Sequence, residues 1–175
     1  AVIYDSMLTS QTRFQLSRYL FSKGYFNNRV KDTVIYKHRK KKADIRYVLY
    51  PGKPYTIHKI NYAFDDPALE QLILKDSGNC LLKRGDIYDF EKQVAEKQRL
   101  TDLANNNGYF YYENAYTSIL VDSAFAIHTL SVNIRIKKYA RSFSRNNDSL
   151  VYVPHPRFTL QNIYVITNPV IGNIR

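Results

Sequence analysis

One phrase is written twice in this chain. Around residues 100–112 a helix-like run ends in Asn105-Asn106-Asn107-Gly108 and gives way to Tyr109-Phe110-Tyr111-Tyr112. Around 16–26 a similar run, carrying Leu16, Tyr19 and Leu20, gives way to Gly24-Tyr25-Phe26. Aligning Gly24 on Gly108, an offset of 84 residues (108 minus 24), sets Leu16 on Leu100, Tyr19 on Leu103 and Ile35 on Ile119. Self-similarity at a fixed period constrains a fold strongly, because it implies one supersecondary unit used more than once. Each copy reads as helix, glycine stop and strand. Gly and Asn tolerate the left-handed conformation that ends many helices, and the aromatic and β-branched residues that follow favour a pleated, half-buried surface.

The flanking residues extend the unit. Asp89 is an N-cap for the second helix, with Glu91 in its first turn. Phe90, Val94, Leu100, Leu103 and Ala104 recur at helical spacing, with the Lys97 stem lying along the same stripe. Ser10 is the N-cap expected for the first helix, and Val30, Val34 and Tyr36 mark the strand after it. His38-Arg39-Lys40-Lys41-Lys42 is a basic turn. Beyond it Ile45, Tyr47 and Leu49 alternate with Asp44, Arg46 and Val48. Pro51-Gly52-Lys53-Pro54 breaks that strand and marks a boundary.

A strand follows at 55–62, then a helix opened by Asp66-Pro67, striped by Leu69, Leu72 and Ile73, and closed by Ser77-Gly78-Asn79. Leu130, Val132, Ile134 and Ile136 alternate with Ser131, Asn133, Arg135 and Lys137, giving one core face and one wet face. Residues 54–138 therefore read strand, helix, helix, strand, strand. Residues 1–53 show the last three of these elements, with the opening strand and helix expected ahead of Ala1 or altered. In the last segment, 139–175, residues 139–156 read as a polar linker. Phe158-Thr159-Leu160 with Ile163 then repeats Tyr55-Thr56-Ile57 with Ile60, as the opening strand of a third copy.

The net charge of +11 permits nucleic acid, anionic lipid or acidic protein as a partner and selects none of them. A lone cysteine, Cys80, excludes an internal disulfide framework, and its setting beside Leu81-Leu82 is that of a small buried hydrophobe. No apolar run approaches the roughly 20 residues of a membrane helix. His38, His58, His128 and His155 lack metal-ligand spacing. Asp65-Asp66 is a helix start, Arg84-Gly85-Asp86 a turn, and no phosphate loop occurs. The expectation is a protein without enzymatic activity or cofactor.

The ordered series Lys23-Gly24-Tyr25-Phe26, Tyr50-Pro51-Gly52, Tyr55-Thr56-Ile57, Gly85 with Tyr88-Asp89, Arg99-Leu100 and Gly108-Tyr109-Phe110 resembles tandem POTRA (polypeptide-transport-associated) domains. These belong to the BamA/TamA outer-membrane assembly family, and the wording around 99–112 is most similar to the TamA-like (TamL-like) branch. The resemblance implies an α+β fold of β-α-α-β-β modules, two helices packed on one face of a three-stranded mixed sheet. It implies a periplasmic position at a Gram-negative outer membrane and a C-terminal membrane β-barrel in the full-length protein. The implied partners are unfolded outer-membrane clients or periplasmic subunits, with possible contact to an anionic membrane surface and no nucleic acid. The second strand of such a module commonly lies at a sheet edge, where an extended segment can add. The candidate edge is Glu113, Tyr116, Thr117, Ser118, Ile119 and Leu120, and a second is Val30, Thr33, Val34 and Ile35. Gly24, Tyr25, Phe26, Gly108, Tyr109 and Phe110 form the structural motif. Two other readings stand beside this one: a basic module for nucleic acid or anionic lipid, built on Tyr25, Phe26, Arg29 and Lys31 or on Arg135, Lys137 and Lys138, and a spacer that only sets distance.

Overall fold

The computed structural model describes residues 4–37, 42–123, 128–144 and 147–165. The first helix, α1 (Ser6–Ser22), begins before Ser10: Asp5 is its N-cap, accepting from the N–H groups of Met7 at 2.7 Å and Leu8 at 3.4 Å. A carboxylate there also meets the positive end of the helix. Strands β1 (Arg29–Lys37) and β2 (Lys42–Tyr50) pair antiparallel in register from Arg29↔Tyr50 to Lys37↔Lys42. The tip of the basic turn lies outside the described residues.

Asp32 faces α1 through an ion pair with Arg13, and Tyr47, directly opposite Asp32, donates its hydroxyl to the Thr9 carbonyl at 3.4 Å. Side chains alternate along a strand, so Val30 and Val34 share that face and Ile35 lies on the other, 43% exposed. The 84-residue alignment therefore holds through Phe26 and slips in the strand. Ile35 does not superimpose on the buried Ile119, because the two copies use different lengths between glycine and strand.

The second body follows the expected order. Strand β3 (Thr56–Phe64), helix α2 (Pro67–Lys75), a 3-10 turn (Ser77–Asn79), helix α3 (Phe90–Asn106), a second 3-10 turn (Asn114–Tyr116), β4 (Thr117–Asp122) and β5 (Thr129–Ile136) build one α+β layer pair. The sheet order is β3-β5-β4, with β3 parallel and β4 antiparallel to the central β5. Both helices lie on one face: Leu69 and Ile73 of α2 and Leu100 and Ala104 of α3 pack on Ile57, Ile119, Val132, Ile134 and Ile136. Each fully buried aliphatic side chain contributes about 1.5–3 kcal/mol. Cys80 is buried in this cluster, and burial pushes its thiol pKa up. A bulge at His58 shifts the register of β3, so its inward row reads Ile57, then Ile60, Tyr62 and Phe64.

Three expectations change here. The stripe on α3 is displaced: Phe90 and Val94 are about half exposed, and the buried face is Gln93, Glu96, Leu100, Thr101 and Ala104. Residues 139–153 are a hairpin, β6 (Tyr139–Ser144) and β7 (Asn147–Val153), where a linker was expected. Residues 158–165, expected as an opening strand, carry no ladder, since no neighbouring strand pairs with them.

The hairpin returns the chain to the second body at His155. The His155 N–H donates to Asp66 Oδ2 at 2.7 Å and its ring Nδ1 lies 2.6 Å from the same oxygen. Asp66 Oδ1 meanwhile caps α2 at the Ala68 N–H, 2.9 Å away. Tyr112, Tyr116 and Tyr139 surround the His155 ring.

Candidate partner-binding edge

Strand β4 is an outer strand of the three-stranded sheet, with β5 on one side and no strand on the other among the described residues. Which of its main-chain groups face outward follows from one bond. The Lys137 N–H donates to the Tyr116 carbonyl at 2.9 Å, so 116 and 137 form a hydrogen-bonded pair. In an antiparallel ladder such pairs recur every second residue. Ser118, Leu120 and Asp122 thus point their main-chain groups at β5, and Thr117, Ile119 and Val121 point theirs at the open edge. The parallel side agrees: Asp65 N–H donates to the Ile136 carbonyl at 2.8 Å.

Among the candidate residues, then, Thr117 and Ile119 carry outward main-chain groups. Ser118 and Leu120 lie in the strand but turn theirs inward. Glu113 and Tyr116 precede the strand, at the cap and end of the 3-10 turn. Val121 belongs to the open row and was not among the candidates. Neither was Gln93, which sits buried on α3 and donates its amide to the Ile119 carbonyl at 3.4 Å. Its own oxygen accepts from the Tyr88 hydroxyl. A glutamine on a helix face carries no sequence signal for this; only the packing of α3 over β4 reveals it.

The opposite edge of the sheet is partly covered. Ile57 N–H donates to the Asp86 carbonyl at 2.9 Å and Gly85 N–H to the Ile57 carbonyl at 2.7 Å, with the bulge next to them. Loops and bulges of this kind blunt an edge. In the first sheet, β1 pairs on one side with β2, and Val30, Thr33, Val34 and Ile35 line this strand. Lys31 lies over the Tyr50 ring.

The glycine motif has a different role. Gly24 and Gly108 both have positive φ, +85° and +91°. Each accepts through its carbonyl from the first residue of a repeated stretch: Tyr55 N–H to Gly24 at 2.9 Å and Phe158 N–H to Gly108 at 2.7 Å. A Cβ on Gly24 would lie 2.6 Å from the Tyr88 carbonyl oxygen, and one on Gly108 2.5 Å from that of Phe158. Phe26 packs between Phe21, Tyr55 and Tyr88, and Tyr109 donates its hydroxyl to the Ala68 carbonyl. Phe110 is exposed beside Tyr111. Lys23 bridges to Asp89 at 3.0 Å and Glu91 at 2.7 Å. Burial alone would raise the Asp89 pKa, but Lys23 and the Glu91 N–H outweigh it and hold the carboxyl below its usual range.

No group of three or more metal-ligating side chains occurs among the described residues, and none of their helices is long and apolar enough to cross a membrane. Arg135 is held bidentate by Asp65.

No family model matches this chain, and no curated protein matches it. Among solved structures it is similar to BamA from Haemophilus ducreyi lacking POTRA domains 1–3, with a TM-score of 0.47 and 13% identity over 79% of this chain and 24% of that one. It is also similar to Haemophilus influenzae BamA POTRA3-5, with a TM-score of 0.43 and 15% identity over 74% of this chain and 47% of that one. The chain spans about a quarter and about half of those two proteins' structures.

Proposed function

We propose that this chain is the periplasm-facing POTRA region of an outer-membrane protein assembly factor of the TamA-like branch. In this reading residues 1–53 are a partial first module, 54–138 a complete second and 139–175 a connecting segment, built as the β6–β7 hairpin, with the start of a third. β4 takes up extended segments of unfolded clients or partner subunits as an added strand. The observation that carries the reading is the open row of Thr117, Ile119 and Val121 at the edge of a sheet that is otherwise packed and blunted. Pairing through main-chain groups reads little client sequence, which suits a factor handling many different barrel strands. The long Gln93–Ile119 bond is a weak internal competitor that an incoming strand displaces at small cost.

The aromatic half of one candidate nucleic-acid cluster supports this choice. Phe26 is engaged with three rings at the Gly24 contact, which leaves little of it to stack on a base. The electrostatic alternative keeps one footing, the groove where Lys137, Lys138 and Tyr152 meet the Asp65–Arg135 pair.

Amide NMR of the full chain, titrated with peptides of alternating barrel-strand pattern and scrambled controls at two salt concentrations, tests the reading. Shifts centred on Thr117, Ile119 and Val121 that persist at high salt are expected. Shifts confined to Lys and Arg neighbours and lost with salt would replace the reading with anion binding. Silence throughout would favour the spacer.

A further inference from the structure

The two glycine contacts are reached by connections of different build. From the end of β2 at Tyr50 to Tyr55, which is held at Gly24, the chain uses residues 51–54. From the end of β5 at Ile136 to Phe158, held at Gly108 in the same way, it uses residues 137–157, and most of these form the β6–β7 hairpin. The short connection shows that a hairpin is not needed to reach a contact of this kind. One face of the hairpin is its anchor: Tyr139 stacks on Tyr111 and meets Tyr116. Side chains alternate along a strand, so Tyr152, opposite Ala140, and Leu150, two residues before it, share the other face. Both are exposed, at 64% and 54%.

Tyr152 brings that face to a concentration of charge at the end of β5. Arg135 alternates with the fully buried Ile134 and Ile136 and so lies on the sheet face that carries no helix. Asp65 holds it through Nε at 2.9 Å and Nη2 at 3.0 Å. The pair fixes the guanidinium plane, and among the described residues both N–H groups of Nη1 and one of Nη2 keep their donors free. Lys137 and Lys138 follow, and neither ammonium makes an ion pair among the described residues. Asp65, Arg135, Lys137, Lys138 and Tyr152 line one open groove of about 500 Å³, a size that suits a small ligand group. Three cations face one carboxylate there, and that carboxylate is already taken up by Arg135.

We propose that this groove binds the phosphate of an anionic phospholipid headgroup, with Tyr152 and Leu150 resting at the lipid interface beside it. A phosphate accepts the free donors of Arg135 and keeps further oxygens for the two lysines. An anionic lipid surface attracts Lys and Arg, and tyrosine favours the boundary where its ring meets the lipid and its hydroxyl meets water. Leu150 decides between ligands of the same charge. A soluble anion has no use for an apolar neighbour, and a nucleic-acid base stacks on Tyr152 but gains little from Leu150. The hairpin thus adds a lipid-facing wall to a basic strand end. The proposal does not rest on strand capture at β4, because vesicle binding is read without any peptide.

Co-sedimentation of the full chain with vesicles tests it, using phosphatidylcholine alone and phosphatidylcholine mixed with phosphatidylglycerol, at about 0.1 M salt. Binding to the mixed vesicles and not to the neutral ones is expected. Lys137→Gln with Lys138→Gln should weaken that binding about 25-fold. Lys40→Gln with Lys41→Gln removes the same charge from the basic turn and should cost no more than about fivefold. Leu150→Ser changes no charge, lies at an exposed position, and should weaken binding severalfold. Circular dichroism checks the fold of each variant; if the Lys137/Lys138 pair unfolds, Leu150→Ser still decides. Equal losses from the two lysine pairs would assign binding to net charge and overturn the site. So would no binding to the mixed vesicles, or full binding by Leu150→Ser. Inorganic phosphate that shifts the Arg135 Nε–H resonance without any vesicle binding would make the groove a soluble-anion site, and a single-stranded oligonucleotide that binds while vesicles do not would make it a nucleic-acid site; either result overturns the proposal.

Discussion

Replacing Gly24 by Ala should cost about 2–3 kcal/mol of stability in the α1–β1–β2 segment, and the structure separates that figure into parts. Holding an L-residue at φ +85° costs about 1–2 kcal/mol. The new methyl would sit 2.6 Å from the Tyr88 carbonyl oxygen, a backbone atom, with Ile87 Cγ2 at 3.1 Å and the Tyr55 carbonyl at 3.4 Å. Relieving that contact moves Gly24 away from Tyr55 and weakens the 2.9 Å hydrogen bond between them, a further loss of about 1 kcal/mol. Gly85 isolates the first part: its φ is +91°, but a Cβ there meets nothing within 4 Å. Gly85→Ala should therefore show the strain cost alone. Hydrogen exchange of amides in α1, β1 and β2 reads the effect locally. If Gly24→Ala lowers protection there no more than Gly85→Ala lowers it around β3, the close approach at Gly24 does not hold the two sheets together and the reasoning fails.

Glu96 is fully buried on α3, accepts two of the three guanidinium bonds of Arg99, at 2.8 and 2.9 Å, the third going to Asp76, and takes the Leu81 N–H at 2.9 Å. Glu96→Ala strands these donors and should cost about 3–5 kcal/mol in urea unfolding; a loss under about 1 kcal/mol would contradict this account. Acid should loosen the same structure in steps. Asp76 is held below the usual carboxylate range by Asn79, against an opposing push from burial and with help from Arg99, and Asp89 is held low by Lys23 and the Glu91 N–H. Depressed folded-state values mean stability that is full above the unfolded carboxylate range near pH 4 and is lost as pH falls through the lower folded values. Stability measured by denaturant melts should fall below about pH 4, and Lys23→Met should flatten part of that slope; an unchanged slope would show that Lys23 does not set it.

The sequence made the second body legible because its rules there were local. Asp66-Pro67, Asp89, Gly108 and the alternation of β5 each act within a few residues, and each is found where pattern placed it. What escaped depended on distant partners. Glu96 and Gln93 look like solvent-facing helix residues until Arg99, Leu81 and the Ile119 carbonyl are brought to them. Val94 looks like core by spacing, but the sheet lies under the other side of α3. The hairpin at 139–153 was hidden by its polar composition, and its anchor, His155 on Asp66, joins residues 89 positions apart. At the candidate edge, pattern located β4 to within a few residues. It could not tell which alternate residues turn their main chain outward, because that phase is set by the single bond between Lys137 and Tyr116.

The bond from Tyr55 to Gly24 also fixes how the chain carries load. It closes a loop around the β1–β2 hairpin. Tension applied along the chain passes from α1 across this contact into β3, so the contact shields the hairpin strands from being pulled apart at their open ends while it holds. Once it parts, the slack residues 25–54 are released together, up to roughly 100 Å of contour at about 3.3–3.6 Å per residue. The hairpin is thus a stored length behind a short mechanical fuse, and the fuse is a glycine carbonyl.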